Sequence, residues 1–409
     1  MQKRVKIIKI AAAVLSAATA GLFGMAGYYS SKLPSTMKAV SSSEIYVAEY
    51  PELSCTDTRE SVSADMLTFP EQKQVTFSLF GAVPVKTVQV REQSPIVLAA
   101  GGTPFGIKLL MEGVMVTELG SICDKSGRTV CPAEEAGIKV GDVIRLADGK
   151  KVTSNKGLQS IISASSGEEI KITAERDGSE FTVSLKPVFS RATGQWRGGM
   201  WVRDSIAGIG TMTFINKQTG EFAGLGHPIC DSDTGELVPL HSGEAVPVEL
   251  SDAKRGEKGI PGELRGVFSK DKTYGVLYKN SGCGIFGRLT DDALEELCKD
   301  SEDFPLGYRQ EVSTGSAEIF TSVSGHKPEK YSIEIERVDL NSGDSTKNMV
   351  IRITDDRLLD LTGGIIQGMS GSPVIQDGKI VGAVTHVFVS DPTRGYAIFA
   401  ENMAEYLES

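Results

Sequence analysis

Gly368-Met369-Ser370-Gly371-Ser372-Pro373 leads into Val374-Ile375-Gln376, an Asp377-Gly378 turn and the apolar run Ile380-Val381-Gly382-Ala383-Val384. Two short strands around an Asp-Gly turn spell a β-hairpin, and β structure for this part of the chain. The glycines permit positive φ and let a second carbonyl approach the main chain closely. A serine at the mouth of such a hairpin is held on a rigid, exposed corner, where Ser370 reads as a hydroxyl nucleophile. The amides of Gly368 and Ser370 then read as a donor pair for a developing oxyanion. A tight structural turn would use the same residue types, so the rest of the chain has to decide.

A serine hydroxyl is too weak an acid to attack a carbonyl unaided. It needs a base, and an imidazole base needs an acceptor on its far nitrogen. Four histidines are available. His227 ends the glycine-rich apolar stretch Ala223-Gly-Leu-Gly-His-Pro-Ile-Cys-Asp231 and is the favoured base. His241 follows Pro239-Leu240 and is the second choice. His326 precedes Lys327-Pro328 in a polar turn and reads as solvated, and His386 in the strand after the hairpin reads as packing or a pocket wall. For the carboxylate, Asp355 ends the alternation Ile351-Arg-Ile-Thr and is preferred, with Asp356, Asp360, Asp231 and Asp233 as alternatives that spacing cannot separate.

The 409 residues suffice for two or three domains, and 45 glycines with many strand-like alternations favour a mostly β protein. The formal charge of −10 is uneven: residues 1–33 hold five cations and no acid, leaving the remainder at −15. Such a body lacks the basic face that phosphate contacts require, so nucleic acid is excluded as a partner. Met1–Lys9 is basic, and Ile10–Tyr29 is a charge-free run of 20 residues. At 1.5 Å per residue it just spans a hydrocarbon layer about 30 Å thick. It is a membrane anchor or a secretory signal, with Ala-Ala-Thr-Ala at 17–20 as a cleavage site in the second case. Either way the positive end stays inside and residues 34–409 cross the membrane. Six cysteines without a CxxC pair read as free thiols or at most one staple, Cys123 to Cys131. No metal-ligand spacing is present, and no metal or cofactor is expected.

Four regions follow from composition and periodicity: a signal or anchor segment at 1–33, a polar stalk with Ser41–Ser43 and a strand-rich lead-in at 34–100, a unit at 101–187, and a second large unit at 195–409. In the 101–187 unit, Ala133-Glu-Glu-Ala-Gly137 is a short helix closed by glycine, leading through Gly141-Asp142-Val-Ile into a strand. Leu158, Ile161 and Ile162 make the apolar stripe of an amphipathic helix. This order resembles a circularly permuted bacterial PDZ domain. The resemblance implies that Pro104, Phe105, Gly106 and Ile107 present amides to a peptide C-terminus, which then adds as a strand.

Gly-Leu-Gly-His-Pro, Thr354-Asp355 and Thr362-Gly-Gly-Ile-Ile-Gln-Gly-Met-Ser-Gly-Ser-Pro-Val-Ile-Gln together resemble the SpoIVB family of stage IV sporulation serine peptidases. The resemblance implies a chymotrypsin-like double β-barrel with His227 as general base, Asp355 as carboxylate and Ser370 as nucleophile. It also implies an enzyme of endospore formation, acting between the forespore and mother-cell membranes. Such an enzyme cleaves itself and a regulatory subunit of a membrane metalloprotease. A non-catalytic envelope scaffold using its PDZ domain to bind peptide tails is the alternative. A quality-control protease of the HtrA kind fits less well, because there the PDZ module follows the catalytic domain.

Overall fold

The computed structural model describes residues 2–41, 45–60, 72–269, 271–325 and 327–407. His326, Ser42 and Ser43 therefore lie outside the described residues. Helix α1 (Gln2–Lys32) is exposed from Val5 to Met25 and packs only near its C-terminal end, through Ala26 and Tyr29, and Val5–Lys32 is long and apolar enough to cross a membrane. After it, a four-stranded sheet in the order Thr36–Ala39, Val83–Glu92, Gln72–Leu79, Leu53–Glu60 forms the lead-in. Its Val75, Phe77 and Val88 share one buried cluster with Ile319, Ile333 and Val374 further along the chain, so this sheet is packed onto the C-terminal body.

Two six-stranded barrels make up that body. The first is ringed by β1 (Pro104–Leu119), β2 (Met200–Ile215), β3 (Glu221–Gly224), β4 (Leu240–Lys254), β5 (Gly275–Ser281) and β6 (Gly284–Leu289). They pair in the order β1-β4-β5-β6-β3-β2, and β2 returns to β1 to close the ring. The second is the closed barrel of β7 (Gly315–Thr321), β8 (Glu329–Val338), β9 (Met349–Ile353), β12 (Asp391–Phe399), β11 (Lys379–Phe388) and β10 (Pro373–Gln376), in that order. Asp377 at φ 49° and Gly378 at φ 72° form the expected primed turn between β10 and β11. The mostly β, double-barrel architecture agrees with the reading of the sequence.

The PDZ unit is not a bead ahead of these barrels but an insertion in the first one. Residues 104–111 of β1 pair with β2 on one side and β4 on the other. Beyond Gly113 the same strand enters the PDZ sheet, where Val114 and Met115 pair with Ile144 and Val143. Gly113 has φ 96°, and a Cβ there would stand 2.6 Å from the Ile144 carbonyl oxygen, so the strand turns from one sheet to the other at a residue that must be glycine. Strand β2 makes the reverse crossing: Met200 to Arg203 pair with the PDZ half of β1, and Ser205 to Thr211 with its barrel half. Inside the insertion, helix α2 (Asn155–Ala164) is capped by the Ser154 hydroxyl, which accepts from the Gly157 amide at 3.1 Å. Its Leu158 and Ile162 are buried against Val114, Ile144 and Ile172. Asp142 is buried and paired with Arg176 at 2.6 Å.

This placement corrects the expected peptide-carboxylate loop. Pro104 opens β1 and pairs only with β2, while Phe105, Gly106 and Ile107 are laddered on both edges, with Phe105 and Ile107 buried in the first barrel core. Amides committed to a ladder cannot cradle a carboxylate. The cysteines are all free thiols, and buried Cys131 donates to the Gly199 carbonyl rather than bridging to Cys123.

Candidate active site

Ser370 sits in the loop entering β10, and the loop is shaped by its glycines. Gly368 has φ 100° and Gly371 φ 97°; a Cβ on Gly371 would lie 2.0 Å from the Thr211 carbonyl oxygen. The second barrel thus presses this corner against β2 of the first. Thr211 reciprocates: its amide donates to the Ser370 carbonyl at 3.0 Å and its hydroxyl to the Gly368 carbonyl at 2.7 Å. With both carbonyls held on the first barrel, the Gly368 and Ser370 amides donate to no acceptor among the described residues. That leaves the expected oxyanion donors unengaged. The Ser370 hydroxyl donates to the Thr385 carbonyl at 2.7 Å.

His227 arrives from the first barrel. Leu225 and Gly226 both have φ 68° just past the end of β3, an unusual conformation for leucine that swings the next residue off the sheet. The Nδ1 atom of His227 lies 2.9 Å from the Pro228 carbonyl. A carbonyl only accepts, so Nδ1 carries the proton and Nε2 keeps its lone pair. Desolvation pushes the His227 pKa down, partly opposed by the bond to Pro228, so the ring is neutral near pH 7.

Both side chains line one cavity of about 440 Å³ at the junction of the barrels. His386 shares it, with its ring centroid 4.9 Å from that of His227 and the planes tilted by 37°. His386 is an exposed residue of β11, yet its ring packs on His227, and its pKa is pushed down to about 4, first by desolvation and then by the neighbouring His227. A larger cavity of about 770 Å³ elsewhere has neither Ser370 nor a histidine on its wall among the described residues.

The expected carboxylate is not brought to this cavity. Asp355 caps α3 (Asp356–Thr362), accepting from the Arg357 amide at 3.0 Å and the Ser332 amide at 3.3 Å, and it is ion-paired with Arg357 at 2.9 Å. The Arg357 side chain holds its carboxyl below the usual range. The alternatives do not supply one either. Asp231 is buried against Arg203, which also binds Asp233 at 2.6 Å, while Asp356 and Asp360 are exposed on α3. The acceptor on the far nitrogen of His227 is instead a main-chain carbonyl. His241 is exposed on β4 and takes no part. Sequence reasoning missed Thr211 and Thr385, whose roles lie in contacts across 157 and 15 positions; no local motif marks them.

A family model described as SpoIVB peptidase S55 matches residues 194–404, more than half of the chain. The chain belongs to that family. This S55 peptidase is a serine peptidase, and a second model, for a PDZ domain, matches its residues 107–186. No curated protein matches the S55 peptidase chain. Among solved structures, it is similar to the PDZ domain of the SdrC-like protein from Listeria monocytogenes, at 22% identity over 22% of this chain and 87% of that one, with a TM-score of 0.18. It is also similar to the Rv3671c protease from M. tuberculosis. The active form shows 13% identity over 49% of this chain and 73% of that one, TM-score 0.29. The inactive form shows 13% identity over 49% and 82%, TM-score 0.26.

Proposed function

We propose that this S55 peptidase hydrolyses peptide bonds with Ser370 as nucleophile and His227 as general base. The observation that carries the reading is the shared cavity: Ser370 and His227 reach it from different barrels, and the Pro228 carbonyl leaves Nε2 of the imidazole free to take a proton. On substrate binding the Ser370 hydroxyl turns from the Thr385 carbonyl to His227 and gives up its proton. Its oxygen then bonds to the scissile carbonyl carbon, and the amides of Gly368 and Ser370 receive the oxyanion. The imidazolium protonates the departing amine, leaving an acyl-enzyme. Water, deprotonated by the same imidazole, then releases the acid and restores the serine.

The family supports a biological setting in endospore formation, with self-cleavage and cleavage of a regulatory subunit of a membrane metalloprotease. Helix α1 supports a membrane-tethered or secreted enzyme whose body works outside the cytoplasm, between the forespore and mother-cell membranes. The PDZ unit supports recognition of peptide or protein segments.

The test compares wild type with Ser370→Ala by fluorophosphonate labelling and by mass spectrometry of self-processing. Labelling and cleavage are expected in the first and neither in the second, at equal thermal stability. Full cleavage by Ser370→Ala ends the proposal.

A further inference from the structure

The wall around Ser370 carries no Asp, Glu, Lys or Arg among the described residues. Ile365 and Ile366 are buried in it, Leu225 is buried opposite, and Val387 is partly exposed to it. Polar side chains do line the cavity, but they offer no fixed charge. The Thr385 hydroxyl is taken by the Thr346 carbonyl at 2.8 Å, and both imidazoles are neutral at pH 7. Gln367 is exposed at the rim.

We infer that the S55 peptidase cleaves after uncharged apolar residues, the side chain on the acyl side of the scissile bond seating against Ile365, Ile366 and Val387. The inference rests on Ser370 being the nucleophile. Its attack fixes the scissile carbonyl carbon beside Ser370, with the oxygen toward the Gly368 and Ser370 amides. The amine side must face His227, which protonates it, and that side is walled by Pro228 and Ile229. The acyl side therefore faces the segments that flank the serine in the second barrel, 365–368 and 385–389. A lysine, arginine or carboxylate brought there would lose water and find no counter-ion, which buried charges do not tolerate. An aliphatic or aromatic side chain meets branched hydrocarbon instead. A single methylene in such a pocket discriminates by roughly 10- to 200-fold, so the preference is expected to be sharp in size as well as in polarity.

The full chain, purified in detergent, is incubated with a proteome-derived peptide mixture, and the new termini are read by mass spectrometry beside the Ser370→Ala control. Leu, Ile, Val, Met or Phe is expected before the cut, with matched peptides carrying Lys or Asp at that position falling by about 100-fold or more in kcat/KM. Serine-dependent cleavage after charged residues overturns the inference while leaving the peptidase reading intact. Absence of fluorophosphonate labelling removes the nucleophile and the inference with it. Val387→Asp places a carboxylate on the partly exposed wall, and cleavage after Lys or Arg is expected to rise at least tenfold relative to Leu. A labelled Val387→Asp enzyme with an unchanged profile shows that the acyl side chain sits elsewhere, which also overturns it.

Discussion

The hydroxyl of Thr211, fully buried on β2, donates at 2.7 Å to the carbonyl of Gly368, two residues before the serine of the second barrel. A side chain of one barrel thereby fixes the orientation of a peptide group in the other, and the amide of the same threonine fixes the Ser370 carbonyl. The corner is stapled across the interface by one residue.

Thr211→Val keeps the shape and removes that donor. A buried carbonyl losing its donor costs about 1–3 kcal/mol. Misaimed oxyanion donors are expected to slow fluorophosphonate labelling by roughly 10- to 100-fold. Peptide KM should change much less than kcat, and Thr211→Ser, which restores the hydroxyl, should recover most of the rate. A Val variant that labels at the wild-type rate would show the contact to be structural only.

In the proposed mechanism the imidazole of His227 sets the acid limit of activity. Desolvation holds the His227 pKa below the usual value of about 6.5, so labelling should be on a plateau at neutral pH and fall only as pH drops through the lowered pKa. Stability carries the same sign. Below about pH 6.5 the unfolded chain binds protons that the folded rings do not, so the fold weakens on acidification until the folded rings protonate, near pH 4 for His386. Melting curves between pH 7 and 4 check this. His386→Gln should flatten the dependence, and a slope unchanged by that variant would assign it to other groups.

Asp355 is expected to matter first to α3. Asp355→Ala removes the cap and the partner of Arg357, at a cost of about 1 kcal/mol. Asp355→Asn keeps the cap and should cost less. Because the folded carboxyl titrates below its unfolded value, its contribution is present above the unfolded pKa and is lost as pH falls through the folded one. Thermal melts of both variants at pH 7 and pH 3 measure this. A stable Asp355→Asn protein that no longer labels would instead place the carboxylate in the chemistry after a rearrangement of α3.

Within the PDZ unit, Asp142 is buried with Arg176 at 2.6 Å and also accepts from the Lys139 amide at 2.8 Å. Asp142→Ala leaves the Lys139 amide without its acceptor and the Arg176 guanidinium with the Gly137 carbonyl alone, and about 1–3 kcal/mol of stability should go with it. Hydrogen exchange should show the loss concentrated in 114–185. A loss confined to the second barrel would contradict the shared first-barrel strands described above.

Local chemistry made much of this legible. The hairpin around Asp377-Gly378, the strand that turns at Gly226 to present His227, and the Leu158–Ile162 stripe of α2 all lie in runs whose period or turn residues announce them. The barrel-to-PDZ crossing in β1 does not, because one apolar-rich run from Phe105 to Val116 serves both cores while the partners change from β4 to the PDZ sheet. Nor could spacing place Asp355, since an aspartate following a strand serves equally as a helix cap. Thr211 and Thr385 act through main-chain carbonyls distant in sequence, and only folding brings them together.

Because β1 and β2 each run from the first barrel into the PDZ sheet, the inserted unit hangs from a single antiparallel pair of strands. Cutting at 112 and 204 and joining the ends would leave the barrel halves of both strands, 104–111 and 205–211, paired as a hairpin. Strand β2 carries both the crossing into the inserted sheet and Thr211, so a ligand that pulls on that sheet tugs on the strand that holds the Ser370 corner.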